Sequence, residues 1–412
     1  MSNNVQTSEV LIIGGGAAGL TAGIFASEQQ SDVIVLERAP QAGRKILMSG
    51  GTRCNVLPVR ANLDDYVTDS SRNRLKNIFK SWSVDDCHHW FTDGLGLKME
   101  CEEETNKWFP ESNSAREVRD RLVTALQKNG ARLICNSSVE NIQYENEYWV
   151  CTTKNGFQFR AHKLIIASGG LSIPSTGTDG TGHSLIRRLG HTLQPTYPAL
   201  TPLKGNHPGK DPLPGVSLEV GLKVRQYDSH LQEFNAQRKG FVFTHQGYSG
   251  PAILDVSHLI TRQPKNPVNR AQLLINWIDR DSDWWAEQLK GKHTTTSLLR
   301  KHLPRRLADS LLEESNLGNQ KTAELNKKQK LQLLTLLTEY PLNYTGHLGY
   351  KKAEVTGGGV PLEEINPATM ESNLLPGLFL CGEILDVFGR IGGFNFYWAW
   401  VTGRLAGLGV NK

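Results

Sequence analysis

The chain has 412 residues, 38% of them hydrophobic and 21% charged, with a formal net charge of +5. That length exceeds a single core and points to two or three domains. The mild, dispersed charge gives no reason to expect nucleic-acid binding, and no apolar run is long enough to span a bilayer. Six scattered cysteines without a CxxC pair argue against a zinc site or disulfide framework and suit a reducing, cytoplasmic setting.

Met1 to Glu9 is polar, lacks signal-peptide features and reads as a frayed tail. Val10 to Ile13 is a short apolar run, predicted as a buried parallel strand. It leads into Gly14-Gly15-Gly16-Ala17-Ala18-Gly19 and a helix rich in small residues. Gly14 turns the chain, Gly16 admits a pyrophosphate to the backbone, and Gly19 lets the helix pack close to the strand. The helix N-terminus then presents free N–H groups to the phosphate. A second strand, Asp32 to Leu36, ends on Glu37, placed to bind a ribose hydroxyl. Strand, glycine turn, helix, strand and acid together predict a dinucleotide site.

The segment Gly43 to Asn55 is rich in glycine and cations and is expected to be a loop that contacts the ligand, with Gly50, Gly51 and Arg53 among its contacts. Tyr66 to Lys128 looks mostly helical, with Ser114 capping its last helix. Adjacent His88 and His89 point in different directions on a helix and are not read as metal ligands. Strands follow at 131–135 and 138–142, then a hairpin, 148–152 and 157–159, turned at Asn155-Gly156. Lys163 to Ile166 is a further strand that exits through Gly169 and returns to the nucleotide sheet. The glycines at 177–182 lack the strand, helix and acid of a second fingerprint.

A proline-rich stretch from Gln194 to Pro214 reads as a crossing into another domain. There, 216–224, 240–245 and 271–277 are predicted strands, and Ser282 to Tyr340 is predicted as amphipathic helices. Their basic patch, Arg300, Lys301, Arg305 and Arg306, is read as a solvated helix face. The expected division is 1–192 with 354–412 as the nucleotide domain, 193–281 with 341–353 as a β-rich insert, and 282–340 as a helical subdomain. The last elements are a strand ending in Gly382-Glu383 and a helix opened by Gly392-Gly393-Phe394. Glu383 suits a ribityl hydroxyl, and the helix N-terminus suits the carbonyl edge of a flavin ring.

Taken together, the stretches Gly43 to Asn55, Phe243 to Pro251, Ala353 to Val360 and Gly377 to Trp400 resemble the HI0933-like (BaiN-like) family of FAD-dependent oxidoreductases over almost the full length. The resemblance implies a doubly wound (Rossmann-like) α/β domain that binds FAD and is interrupted by a β-rich insert carrying a helical subdomain. It implies FAD contacts at Gly14, Gly16, Gly19, Glu37, Arg38, Arg44, Lys45, Ser49, Gly50, Asn55, Val139, Glu383 and Asn395. Ala18, Gly169, Gly382 and the Gly392-Gly393-Phe394 turn complete the expected cofactor set. Three positions depart from the family pattern: Thr52 replaces a glycine, Tyr397 a glutamine, and His183 an aromatic residue.

The expected reaction is hydride exchange between flavin N5 and a small organic substrate, with NAD(P)H as a visiting co-substrate and a conjugated C=C bond as one target. His245, Tyr248 and Tyr397 are the candidate proton donors or orienters, with the insert expected to roof the flavin. Cys54 and Cys381 are read as buried structural thiols. The competing readings are an oxidase of the amino-ketone type that uses O2, and a non-catalytic flavoprotein that senses redox state or docks a partner. No metal, nucleic-acid or membrane partner is expected, and the oligomeric state is left open.

Overall fold

The computed structural model describes residues 5–28, 32–227, 231–262 and 271–412. The chain divides into two units, Met1–Tyr197 with Val355–Lys412, and Pro198–Glu354.

In the first unit the strands Arg132–Ile134, Val33–Leu36, Val5–Ile13, Gln158–Ile166 and Leu378–Leu380 pair in that order, all parallel. Residues 10–13, 33–36, 164–166 and 378–380 of these strands are apolar and buried, as expected where helices cover a parallel sheet on both faces. Ile13 is level with Leu36 and with Ile166, Leu36 with Ile134, and Ile166 with Leu380. The carboxyl ends therefore form one row, the edge at which open α/β sheets bind ligands.

Four expectations need correction. Val5 to Glu9 belongs to the first strand, where Val5 to Ser8 lie opposite Gln158 to Ala161; residues 1–4 lie outside the described residues. The hairpin arm and the exit strand are one nine-residue strand, Gln158–Ile166. Its first half pairs antiparallel with Tyr148–Thr153 and its second half parallel with Leu378–Leu380. The stretch 43–55 contains a helix, Arg44–Met48. Between the helices of 66–128 lies an antiparallel pair, Met99–Glu102 with Lys107–Pro110. The helix after Ser114 runs Ala115–Lys128.

The terminal helix, Phe394–Gly409, lies against the helix that follows the glycine turn, Ala17–Ser27. A Cβ added at Gly403 would sit 2.5 Å from the Ala18 carbonyl oxygen, and one at Gly407 would come closer still to that of Ala22. Residue numbers rise together along both helices at these contacts, so the two run parallel. Backbone meets backbone there, which a larger residue forbids.

In the second unit seven strands pair antiparallel in the order Tyr340–Pro341, Gln272–Asn276, Ser217–Tyr227, Leu231–Thr244, Gly247–Ser249, Leu203–Gly205 and Tyr344–His347. The helices Ser282–Gln288, Thr295–His302, Arg305–Ser315 and Lys327–Thr338 place Trp285, Leu299, Leu307 and Leu337 in one core with Phe241, Ile275 and Trp277 of the sheet. Among the described residues no helix is long and apolar enough to cross a membrane.

Gly403→Val drives a side chain into the Ala18 carbonyl and is expected to cost about 1–3 kcal/mol, as overpacking does. Thermal unfolding should show a lower midpoint, with a smaller loss for Gly403→Ala.

Candidate cofactor-binding site

The glycine turn sits on the aligned strand ends. Gly14 is left-handed, with φ +107°, and an added Cβ would lie 2.8 Å from the Ala167 carbonyl carbon. The Gly15 N–H donates to Glu37 Oε2 at 2.8 Å, and the Ala39 N–H donates to Glu37 Oε1 at 2.7 Å. Glu37 is thus buried beneath the turn and fastens it to the second strand. Burial pushes its carboxyl above the ordinary range, opposed by these two donors and by the charges of Arg38 and Arg44.

Gly16 begins the following helix with no side-chain cap, and a Cβ there would meet nothing within 4 Å. Free N–H groups thus open onto empty space, the arrangement that holds a phosphate. Ala18 packs under this turn. Gly382, at the end of the last strand, approaches so closely that an added Cβ would lie 2.8 Å from Ala18 Cβ. Gly382 is itself held by the Thr402 hydroxyl at 3.0 Å and the Trp398 indole at 3.1 Å.

Gly393 starts the terminal helix, also without a side-chain cap. Gly403 is level with Ala18; the terminal helix starts nine residues before that level and Ala17–Ser27 only one, so this second N-terminus stands about 12 Å behind the first along the common direction, at 1.5 Å per residue. Two helix N-termini without side-chain caps, separated in this way, suit a ligand with a phosphate end and a polar ring end. Phe394 is half-buried at that opening, and Gly392 and Gly393 are buried there. Asn395 spends its side chain on the preceding turn, accepting from the Gly389 N–H at 2.8 Å and donating to the Gly389 carbonyl at 2.9 Å.

A polar network joins the strand ends. Lys45 Nζ lies 2.7 Å from Glu383 Oε2 and donates to Ser172 Oγ at 2.7 Å. Ser172 donates to Glu383 Oε1 at 2.6 Å, and the Thr356 N–H donates to the same oxygen at 2.9 Å. Thr356 Oγ1 accepts from the Leu171 and Ser172 N–H groups. Ser172 carries no motif of its own, and Thr356 lies in the stretch Ala353 to Val360 without being singled out there; only the fold brings the two to Glu383. Asp386 is a third residue to which the sequence alone assigns no role, although it lies in the stretch Gly377 to Trp400. Its Oδ2 accepts from the Asp69 N–H at 3.0 Å, Ser70 Oγ at 3.2 Å and Thr68 Oγ1 at 3.3 Å. Burial pushes this carboxyl up to about 6 against those donors.

The cation-rich loop is divided. Arg44 is half-buried and forms no ion pair among the described residues. Gly50 and Gly51 are exposed and left-handed, and a Cβ at Gly51 would meet nothing within 4 Å. Thr52 and Cys54 are left-handed too, at φ 73° and 63°. Arg53 turns to Glu102 at 3.0 Å and lies over the Phe109 ring at 4.2 Å. Ser49 donates to the Ile46 carbonyl, and Asn55 is half-buried beside Gly50. Arg38 pairs with Asp179 and donates to the Gly177 carbonyl. Burial pushes the Asp179 carboxyl up, but bonds from Arg38 and Thr181 outweigh it and hold it at about 2. Val139 is buried at the start of its strand, and Gly169 is left-handed at the exit of Gln158–Ile166.

Of the three expected proton donors, two are built into the core. Tyr397 is buried, donates to the Trp82 carbonyl at 2.6 Å and stacks on Phe79. Tyr248 is buried, with its hydroxyl on the Asn206 and Asn343 carbonyls. Burial raises both phenols above their usual range. Their packing assigns them a structural role instead. His245 is exposed at the turn between Leu231–Thr244 and Gly247–Ser249. Cys54 and Cys381 are fully buried; burial pushes the Cys54 thiol up to about 12 and raises that of Cys381 well above its usual value. His183 is buried, with Nε2 3.3 Å from the Ile384 carbonyl.

The HI0933-like protein Rossmann domain matches residues 8–409. A ribosomal RNA dihydrouridine synthase of Escherichia coli (strain K12) is 30% identical over 407 residues, 96% of this chain and 96% of that protein. A 3-dehydro-bile acid delta(4,6)-reductase of Clostridium scindens is 30% identical over 409 residues, 96% of this chain and 97% of that protein. In fold, the chain is similar to the 3-ketosteroid-delta4-(5alpha)-dehydrogenase from Rhodococcus jostii RHA1, with a TM-score of 0.50 and 14% identity over 99% of this chain and 97% of that one. The two helix N-termini without side-chain caps and the empty space at Gly16 and Gly51 fit the FAD that this family binds.

Asp386 holds its proton more tightly in the folded state than its usual value of 3.8 allows in the unfolded chain. Its contribution to stability is present below pH 4 and is lost as pH rises through about 6, roughly 2–3 kcal/mol in all. Urea unfolding of Asp386→Asn should be flatter than wild type across that window. Glu383→Ala leaves Lys45 without its carboxylate and should weaken FAD retention by about tenfold or more, read from flavin fluorescence on dilution.

Proposed function

The chain belongs to the HI0933-like family of FAD-binding oxidoreductases, and we propose that it reduces a carbon–carbon double bond conjugated to a carbonyl group. The observation that carries this reading is the chemistry shared by the names of two full-length relatives. Making dihydrouridine saturates a uracil double bond conjugated to a ring carbonyl. A delta(4,6)-reductase acting on a 3-oxo bile acid saturates double bonds conjugated to that ketone.

FAD, when bound, supplies hydride transfer. In this reading the N–H groups opening Ala17–Ser27, together with Arg44, hold the phosphates. Glu383 accepts from the sugar-alcohol chain, with Lys45 and Ser172 fixing its carboxylate. The N–H groups opening Phe394–Gly409 hold the carbonyl edge of the ring. NAD(P)H visits to deliver electrons, and His245, whose imidazole suits the task chemically, is proposed as the proton donor to the substrate.

Under anaerobic conditions NADPH or NADH should bleach the bound flavin. A conjugated enone, or a uridine-containing RNA, should then restore its colour, whereas an isolated alkene should not. His245→Ala should slow the second step about a hundredfold or more while leaving bleaching unchanged. Recovery of colour with O2 but with no conjugated acceptor would instead favour the oxidase reading.

A further inference from the structure

Charge is divided unevenly between the two units. Pro198–Glu354 holds 22 Lys and Arg against 15 Asp and Glu, a balance of +7. The rest of the chain, whose total is +5, therefore carries −2. The whole-chain figure conceals this asymmetry. Within the second unit the excess gathers between residues 288 and 330, where ten Lys and Arg face four Asp and Glu.

The fold uses about half of those cations. Arg300 makes a two-pronged pair with Asp309 at 2.7 and 2.9 Å. Arg306 donates to the carbonyls of Pro212 and Pro214. Lys290 pairs with Glu287, and Lys321 with Glu324. Glu313 and Glu314 are engaged elsewhere, by the backbone of Gly209 and Lys210 and by the Tyr340 hydroxyl. Lys292, Lys301, Lys327, Lys328 and Lys330 form no ion pair among the described residues. All are exposed except Lys330, which is half-exposed.

Lys327, Lys328 and Lys330 open the helix Lys327–Thr338, and no acidic residue stands in its first turn. That end is the positive pole of the helix dipole, where cations are unfavourable. Lys292 comes from a neighbouring stretch, because the segment before this helix bridges back beside it. Thr294 pairs with Lys321, the Thr322 N–H donates to the His293 carbonyl at 2.9 Å, and the Thr295 N–H donates to the Gln320 carbonyl at 2.8 Å. Cations that repel one another, oppose the local dipole and meet no acid are explained by a polyanion from outside. Lysines on flexible stems suit phosphate contacts that position a strand without reading its sequence.

We propose that residues 288–330 form a docking surface for RNA. The choice of RNA among polyanions rests on the proposed reduction, one form of whose substrate is an RNA-borne uracil. The surface itself rests on the charge distribution.

The test uses the full chain with FAD bound and a fluorescently labelled single-stranded RNA, with affinity followed by anisotropy across a salt series. K327Q/K328Q/K330Q should bind at least tenfold more weakly at low salt. The slope of log affinity against log salt should fall by about 2, at roughly 0.7 for each phosphate no longer neutralised. Its thermal midpoint should equal or exceed that of wild type, since the dipole conflict is removed, and this separates lost docking from misfolding. Absence of RNA binding by the wild type, or binding untouched by the triple substitution, would overturn the proposal. So would tighter lysine-dependent binding to phosphatidylserine vesicles than to RNA. Lysine-dependent RNA binding without dihydrouridine formation would uphold the surface and sink the uracil form of the reduction. Enone reduction by a protein with no RNA affinity would overturn the surface and uphold the reduction in its enone form.

Discussion

Backbone has to touch backbone at several places in the first unit, and the cofactor site depends on it. A side chain at Gly14 would strike Ala167, one at Gly19 would strike the carbonyl of Gly14, and those at Gly403 and Gly407 would strike the helix Ala17–Ser27. These contacts bind the glycine turn to the sheet, its helix to the turn, and the terminal helix to that helix. The two helix ends carry no side-chain cap, and they keep their spacing because the helices are locked at this close range. The ligand-facing geometry is a by-product of steric exclusion behind it.

The same residues also explain what the sequence can reveal. A buried strand, a turn that only glycine tolerates and an acid on the next strand are local features, so the nucleotide edge is legible from residues 10–37. The cluster around Glu383 is only half legible. The Gly-Glu strand end stands out, but Ser172 and Thr356 reach it from positions far apart in the chain, and no spacing announces them. The tyrosines mislead for the opposite reason. Tyr248 and Tyr397 lie beside conspicuous glycines, yet a phenol is also a large apolar body, and both rings turn inward with their hydroxyls on carbonyls. Thr52 gains a physical meaning that the alphabet alone does not supply. It occupies a left-handed conformation at φ 73°, where a β-branched residue is strained and the glycine expected from the family resemblance is not.

Polar groups in the crevice satisfy one another. Glu37 is bonded to two backbone N–H groups, and Lys45 and Glu383 neutralise each other with Ser172 between them. A half-buried carboxylate left alone would be costly, so the pairing keeps the crevice stable. It also means that FAD binding is an exchange of partners. The sugar-alcohol chain and phosphates must offer these groups at least what they already give each other, which favours a ligand with hydroxyls and negative charge at the right separation.

The strand Gln158–Ile166 has one edge covered along its whole length by Val5–Ile13, whereas its other edge is shared. The hairpin arm Tyr148–Thr153 covers the first half from a few residues away, while Leu378–Leu380 covers the second half from more than two hundred residues downstream. During synthesis the half at Leu164 to Ile166 therefore waits, apolar and with unpaired backbone groups, until nearly the entire chain has emerged. Closing that edge is a contact of very high sequence separation, slow on entropic grounds, and an open strand edge invites pairing with other chains. The folding yield of this protein is thus governed by its last elements, from Leu378 onward, and a truncated product would carry a sticky, unfinished sheet.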